Sequence, residues 1–439
     1  MTIKKRLKAF SFTLIAPLFI SLTSVNAQCS DQNSDSPLGK LNWGGSCGSG
    51  STTWTSNKLK AALKDSAKPL LHPALTHSLQ RIVAVTAATE INLPLPKAVP
   101  VLLIEQALGP TPWLQKGIAS TFDPVAFQSS QASMSKMNVV FDLALCSKIA
   151  DSPQDSQCKD KAVSSILDWV NTYKPTGDPI NEFGFVEMFK AIDLVLPSLS
   201  VTNQALVSNW VKQFATMGDQ YYSHLKPDNE VQTNNWNSWR LAIRGLAAQI
   251  TNDPSLIQST KDLLKKQIQA NFQRNPDGSL LDGSTIDFKL RDAIHYQVYD
   301  LDAYSNLVQF TPCLLDGDSK KAIDAGLNFL KPYISGEKQH AEYVNSTVIW
   351  DKIRDKTGSL GNTIQGTPIH IGDNWTPDNE TYNLLRVSKP IFQDLSTWTS
   401  GSSLPAQQQI VQQNFYSPKT KVTAALFGET EEYIQKTAP

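Results

Sequence analysis

The chain lacks an excess of charge. Its 439 residues carry 40 Lys plus Arg against 40 Asp plus Glu, a formal net charge of zero. That balance excludes the broad cationic field by which a domain grips nucleic acid, so no nucleic-acid partner is expected. It leaves room for a local cationic cleft and a polyanionic ligand. Cysteine is scarce, with five in all, none in a CxxC pair and none clustered with the six His. The spacing of a zinc site is therefore missing. Beyond the first two dozen residues no stretch is apolar enough to cross a bilayer. Strand-like alternation is rare, and no strict repeat period argues for a regular solenoid.

What is present begins with a targeting segment. Lys4, Lys5, Arg6 and Lys8 precede an apolar run from Phe10 to Leu22, and Val25-Asn26-Ala27 follows as a small-residue cleavage site. Residues 1–27 read as a secretory signal peptide, so the expected destination is periplasmic or extracellular. Cys29 lies one residue past the place where a lipoprotein signal puts its Cys, so no lipid anchor is expected. Residues 28–57, with Gly44, Gly45, Gly48 and Gly50 among Ser and Thr, read as a flexible leader. Cysteines suit an oxidising destination. Cys29 with Cys47 and Cys146 with Cys158 are the expected pairs, leaving Cys313 over.

From residue 58 to 439 the pattern is that of one helical domain. Apolar residues recur at three- and four-residue spacing over 59–63, 99–107, 134–149, 161–173, 183–196, 202–217, 237–250, 255–272, 290–309 and 319–332. Pro and Gly punctuate these runs, as in Asn275-Pro276-Asp277-Gly278. The expected class is all-α, an incomplete (α/α) toroid or barrel of about ten or more helices. A monomer is expected.

Three constellations bear chemistry. In the run from Phe288 to Asp302, read as one helix, Leu290, Ile294, Val298 and Leu301 form an apolar stripe. Arg291, His295 and Tyr299 fall at i, i+4 and i+8, a second stripe within an arc of about 80°. A fixed cation, an imidazole and a phenol on one face supply a charge neutraliser and two proton-transfer groups. The plainer reading is a core-bordering helix with satisfied polar residues. The second constellation is Thr233 to Arg240, where Asn234 and Asn235 sit among Trp236, Trp239 and Arg240. Sugar sites need flat apolar surfaces and amide or guanidinium donors. A capped helix start with Trp in the core would look the same. The third is the Pro/Gly turn between Asp168 and Glu182, which could line a cleft with Tyr173, Lys174 and Asn181. A simple interhelical turn is its alternative. The stretch from Thr367 to Trp375, with His370 and Asp373, reads as a surface loop rather than a cover over the cleft.

Taken in order, these pieces resemble the alginate lyase superfamily. The residues that carry the resemblance are Trp-x-x-x-Tyr-x-Pro-Thr-Gly-x-Pro-Ile-Asn-Glu from Trp169 to Glu182, Asn-Asn-x-x-x-Trp from Asn234 to Trp239, and Arg-x-x-x-x-Tyr-x-x-Tyr-x-Leu from Arg291 to Leu301. Polysaccharide lyase families five and thirty-eight are the most similar in pattern. The resemblance implies an (α/α) toroid with a long cleft and β-elimination on mannuronate or glucuronate polymers. The family motif reads Asn-Asn-His, and this chain has Trp236 in place of that catalytic His.

Elimination removes the C5 proton of a uronate. Neutralising the adjacent carboxylate stabilises the enolate-like species, a task for Asn234 or Asn235 with Arg291 or Arg240. A base takes the proton and an acid protonates the O4 leaving group. Tyr299 is the expected acid, and either Tyr299 or His295 the base. A phenol as base needs nearby cations, which the arginines could provide. Trp236, Trp239 and Tyr296 would border sugar rings. No metal or organic cofactor is required. Two other readings stay open: a non-catalytic uronate-glycan-binding protein of the same fold, and an (α/α)-toroid glycoside hydrolase. Hydrolysis needs two opposed carboxyl groups, and no such pair stands out.

Overall fold

The computed structural model describes residues 94–104, 124–149, 153–227, 229–334, 336–362, 367–377, 380, 381 and 384. The expected signal peptide, the leader, Cys29, Cys47 and the helix expected at 59–63 lie outside the described residues. Within them the chain is helical apart from two small antiparallel sheets. The helices are α1 (Pro124–Met134), α2 (Met137–Ile149), α3 (Pro153–Thr172), the single turn α4 (Pro179–Glu182), α5 (Phe185–Val195), α6 (Val201–Ser223), α7 (Asn235–Thr251) and α8 (Pro254–Asn271). A hairpin of β1 (Phe272–Arg274) and β2 (Leu280–Thr285) follows. Then come α9 (Ile286–Arg291), α10 (Ile294–Phe310), α11 (Gly317–Ile334) and α12 (Ile349–Thr357), with β3 (Gly361–Asn362) and β4 (Pro368–Ile369) last.

The packing order explains the architecture. α2 packs on α5, α5 on α7, and α7 on α10, so these four make an inner row. α3, α6, α8 and α11 pack outside them, α3 against α2 and α5, α6 and α8 against α7, and α11 against α10. Alternate helices in sequence are thus neighbours in space, the rule of an (α/α) toroid. α7 is enclosed on every side. Apart from Trp236 and Thr251 all its residues are buried. Its Ala242, Ala247 and Ala248 let neighbouring helices approach.

Local sequence sets the boundaries. Asn234 Oδ1 caps α7 by accepting from the Trp236 N–H at 3.0 Å, and Asn252 ends the helix in the left-handed region with φ 49°. Asp253 then caps α8, with Pro254 at its first position. The aromatic core between α3, α5 and α6 packs Trp169, Tyr173, Phe185, Phe189, Trp210 and Phe214, mostly edge to face, with centroids 4.8 to 6.5 Å apart.

Three expectations are corrected. Residues 99–104 are not helical. Pro94, Pro96 and Pro100 remove donors and restrict the residues before them. The run from Phe288 to Asp302 is not one helix. It breaks at Asp292, whose φ is 49°, so Arg291 closes α9 while His295 and Tyr299 belong to α10. The punctuation expected at Asn275 to Gly278 is present, as the turn of a β-hairpin between α8 and α9. Cys313 is not left over but disulfide-bonded, to a partner outside the described residues. Cys146 and Cys158 do pair, with Cα atoms 5.9 Å apart, and staple α2 to α3.

Candidate active site where two inner helices begin

The break at Asp292 makes α10 start at Ile294 with no side-chain cap of its own, since Ala293 precedes it. The cap arrives from far along the chain. Glu342, 2% exposed, accepts from the Ile294 N–H at 2.7 Å and the His295 N–H at 3.1 Å. A carboxylate there also meets the positive end of the helix. The left-handed turn at Asp292 is held from the same segment. Its carbonyl accepts from the Tyr343 N–H at 2.7 Å and faces His340 Nε2 at 2.9 Å, and its carboxylate accepts from the Asn345 N–H and Nδ2.

This frame presents His295 and Tyr299 together. One helical turn apart, their rings are parallel to within 7°, with centroids 6.3 Å apart, and both are half-buried. Trp239 of α7 lies 5.3 Å from the Tyr299 ring, and Phe183 packs against both at 5.4 and 6.0 Å. Tyr299 therefore stands level with the first turns of α7. A bond of 2.9 Å from the Ser238 hydroxyl to the Tyr304 hydroxyl ties the same two helices one turn further in.

Arg291 leaves the stripe that a continuous helix would have given it. Its Nη1 donates to Asp351 at 2.6 Å, and its guanidinium lies 3.9 Å from the centre of the Tyr296 ring. Burial opposes its charge, but Tyr296, Asp351 and Asp287 outweigh this and hold its pKa above the ordinary range. Tyr296 receives a second guanidinium, because Arg354 Nη1 donates to its hydroxyl at 3.2 Å. Both guanidiniums thus attend Tyr296, which is 9% exposed.

At the start of α7 the backbone donors are all taken. The Asn235 N–H goes to Asp287, the Trp236 N–H to Asn234 Oδ1, and the Asn237 and Ser238 N–H groups to the Asn234 carbonyl. A ligand carboxylate here must be met by side chains. Asn235 is not open to that role. It is 1% exposed, and its Nδ2 is committed to Asp287. Asn234 keeps Nδ2 beyond its capping bond, and Trp236 is the one half-buried residue of the first two turns.

The remaining expected site residues lie elsewhere. Trp239 is 3% exposed and forms the wall behind Tyr299 rather than a sugar platform. Arg240 points outward to α6. It donates to Asp219 at 2.5 Å and to Asn237 at 2.9 Å, and lies over Tyr222. Tyr173 is core, and its hydroxyl donates to Glu182 at 2.7 Å. Asn181 ties two backbone segments together. Its Oδ1 accepts from the Ile104 N–H at 2.7 Å and its Nδ2 donates to Asp178 at 3.0 Å. Lys174 is exposed beside that turn. The segment after α12 is more than a surface loop, since Ile369 and Ile371 pack on the cluster of Ala293, Tyr296, Tyr343 and Leu360 that also seats Tyr299.

Glu182 has its own consequence. Both oxygens are engaged, by the Tyr173 hydroxyl, the Thr176 N–H and hydroxyl, and the Gly177 N–H. Burial nonetheless pushes its pKa up from 4.5 to about 7. Burial likewise raises Asp287, from 3.8 to about 6. A carboxyl whose pKa is higher folded than unfolded binds its proton more tightly in the fold. Stability is then fully present below the unfolded value and declines as pH rises through the folded one. The expected loss from Glu182 between pH 4.5 and 7 is on the order of 3 kcal/mol. Denaturant unfolding across that window should show it. Glu182→Gln should flatten the slope while lowering overall stability, and an unchanged slope would remove Glu182 as its source.

The alginate lyase family model matches residues 125–340, just under half of the chain, which include α2 to α11 and both helix starts described above. That match supports the alginate lyase superfamily and, with it, a polysaccharide lyase. No curated protein matches it. Among solved structures it is similar to alginate lyase A1-III. A His-to-Ala variant of that enzyme without ligand gives 14% identity, a TM-score of 0.42, and coverage of 62% of this chain and 78% of the other. The same variant with a tetrasaccharide gives 16% and 0.40, with the same coverage. A Tyr-to-Phe variant with a tetrasaccharide gives 15% and 0.41, covering 64% and 81%.

Asp287, Glu342, Asp351 and Arg354 were not singled out from the sequence. Glu342 and Asp351 reach α10 and Arg291 across about fifty and sixty positions. Single carboxylates at such distances carry no local signal.

Proposed function

We propose that this lyase cleaves a uronate polymer, polymannuronate or glucuronan, by β-elimination at the His295–Tyr299 face. The observation that carries the reading is the stacked imidazole and phenol on one half-buried face, level with the start of α7 and inside the family match. His295 takes the C5 proton and Tyr299 protonates O4. An imidazole accepts a proton near neutral pH, and a neutral phenol holds one to give. Asn234 Nδ2 and the remaining donors of Arg291 meet the substrate carboxylate, and Trp236 borders the sugar. The signal-like N-terminus and the Cys146–Cys158 bridge support a secreted or periplasmic location.

Incubation with polymannuronate, polyguluronate and polyglucuronate tests this. Elimination conjugates a new C4–C5 double bond with the carboxylate, so ultraviolet absorbance should grow on at least one of them. Reducing ends without absorbance would mean hydrolysis, and binding without either signal would mean a glycan-binding protein. Both outcomes sink the proposal.

A further inference from the structure

A buried acid pair lies directly beneath the start of α7. Asp287, 2% exposed, is in the first turn of α9, and Asp300, fully buried, is on α10. Each oxygen of Asp287 is used by the same residue. Oδ2 accepts from the Asn235 N–H at 2.8 Å and Oδ1 accepts from Asn235 Nδ2 at 2.5 Å. We propose that Asp287 is a positioning residue for the elimination, its carboxylate fixing the first turn of α7, and with it Asn234 and Trp236, against His295 and Tyr299. This rests on the proposed uronate-lyase reading of that face.

Three observations support the inference. The bonds join α7 to α9, and α9 also carries Arg291 four residues on, so a single short helix registers both halves of the site. Asn235 Oδ1 is buried with no hydrogen-bond partner. Turning the amide over would set that oxygen against the acceptor-only Asp287 carboxylate, so the charge on Asp287 dictates its sense. Protonated Asp287 could instead donate to that oxygen, and the grip would change character. The groups facing Asp287 decide when this happens. They are Asp300 and Tyr304 from α10, Arg291 with its partner Asp351, and neutral Asn235 from α7, while Ser238 from α7 and Asn271 from α8 face Asp300. Burial raises both carboxyls, Asp287 to about 6 and Asp300, which also meets the charge of Asp287, well above the usual carboxylate range.

The test compares wild type with Asp287→Asn on whichever uronate polymer is cleaved. The expected result is a fall in kcat of roughly ten- to a hundredfold with little change in KM, as for a reacting geometry loosened by about an ångström. The acidic limb, to which the His295 base and Asp287 both contribute in the wild type, should be less steep in the variant, where only the imidazole remains. A kcat and pH profile like the wild type's would overturn the inference while leaving the lyase reading intact. If no polymer is cleaved by wild type, or the variant does not fold, hydrogen exchange on the wild-type protein decides. The amides of residues 235–238 should lose protection, relative to intrinsic rates, as pH falls through 6, while those in the middle of α10 hold. Unchanged protection through that window would equally overturn it.

Discussion

Tyr299→Phe is expected to lower turnover of the cleaved polymer by about 10²- to 10⁴-fold, the usual contribution of a positioned acid or base. The fold should survive. The Tyr299 ring keeps its contacts with Trp239, Phe183 and His295, and losing one half-buried hydroxyl costs about 1 kcal/mol. KM should change little if the hydroxyl acts only in the transition state. Tyr296→Phe is the informative partner. Tyr296 is buried, its hydroxyl already accepts from Arg354, and Arg291 covers its ring. Losing that hydroxyl should reduce activity less than about tenfold, through Arg354 and not through a proton transfer. The reverse ranking would move the acid to Tyr296, the phenol that both guanidiniums attend. His295 would then lose its claim as the base, because a cation-flanked phenol could serve both steps.

The sequence showed the layers well and the site unevenly. Helices α2, α3, α5, α6, α7, α8 and α11 follow the three- and four-residue apolar spacing because each buries a face against two or more neighbours. The same spacing misled at 99–104, where three prolines override hydrophobicity, and passed over α12, which is short and highly charged. The largest error was local. Leu290 to Tyr299 keeps helical periodicity through Asp292, yet the chain breaks there. What breaks it is not in the run itself but in residues 340–345, which supply a cap for α10 and bonds to a left-handed turn. Arg291 then swings from the His295–Tyr299 stripe to Asp351. His295 and Tyr299 remained together because their relation is one helical turn, which no distant residue can change. Arg240 and Tyr173 show the opposite case. Their types suit a sugar site, but burial against Asp219 and Glu182 gives them structural partners that spacing does not reveal.

The β1–β2 hairpin offers a second large effect, with an internal control. Gly278 and Gly283 both sit at positive φ, 85° and 89°, in one hairpin. They differ in what a side chain would meet. A Cβ on Gly278 has nothing within 4 Å, whereas one on Gly283 would fall 2.2 Å from the Ala325 carbonyl oxygen and 2.8 Å from the Gly326 N. Those are backbone atoms of α11, so no rotamer change relieves the overlap. The neighbours are also fixed. The Gly283 carbonyl accepts from Gln297 Nε2 at 3.1 Å, and Gln297 Oε1 accepts from the Thr285 N–H and hydroxyl. Gly278→Ala should therefore cost only the left-handed penalty, about 1 kcal/mol. Gly283→Ala adds overpacking to the same penalty and should cost roughly 3–5 kcal/mol. For a domain of this size that separates the two melting temperatures by about 5–15 °C. The consequence extends to the site, because β2 runs directly into α9, whose Asp287 and Arg291 hold the starts of α7 and α10 in register. Gly283→Ala should thus lose activity below its own melting transition while Gly278→Ala does not. Equal melting temperatures for the two variants would mean that β2 can move off α11, and would undo the argument that this hairpin is a fixed base for the active face.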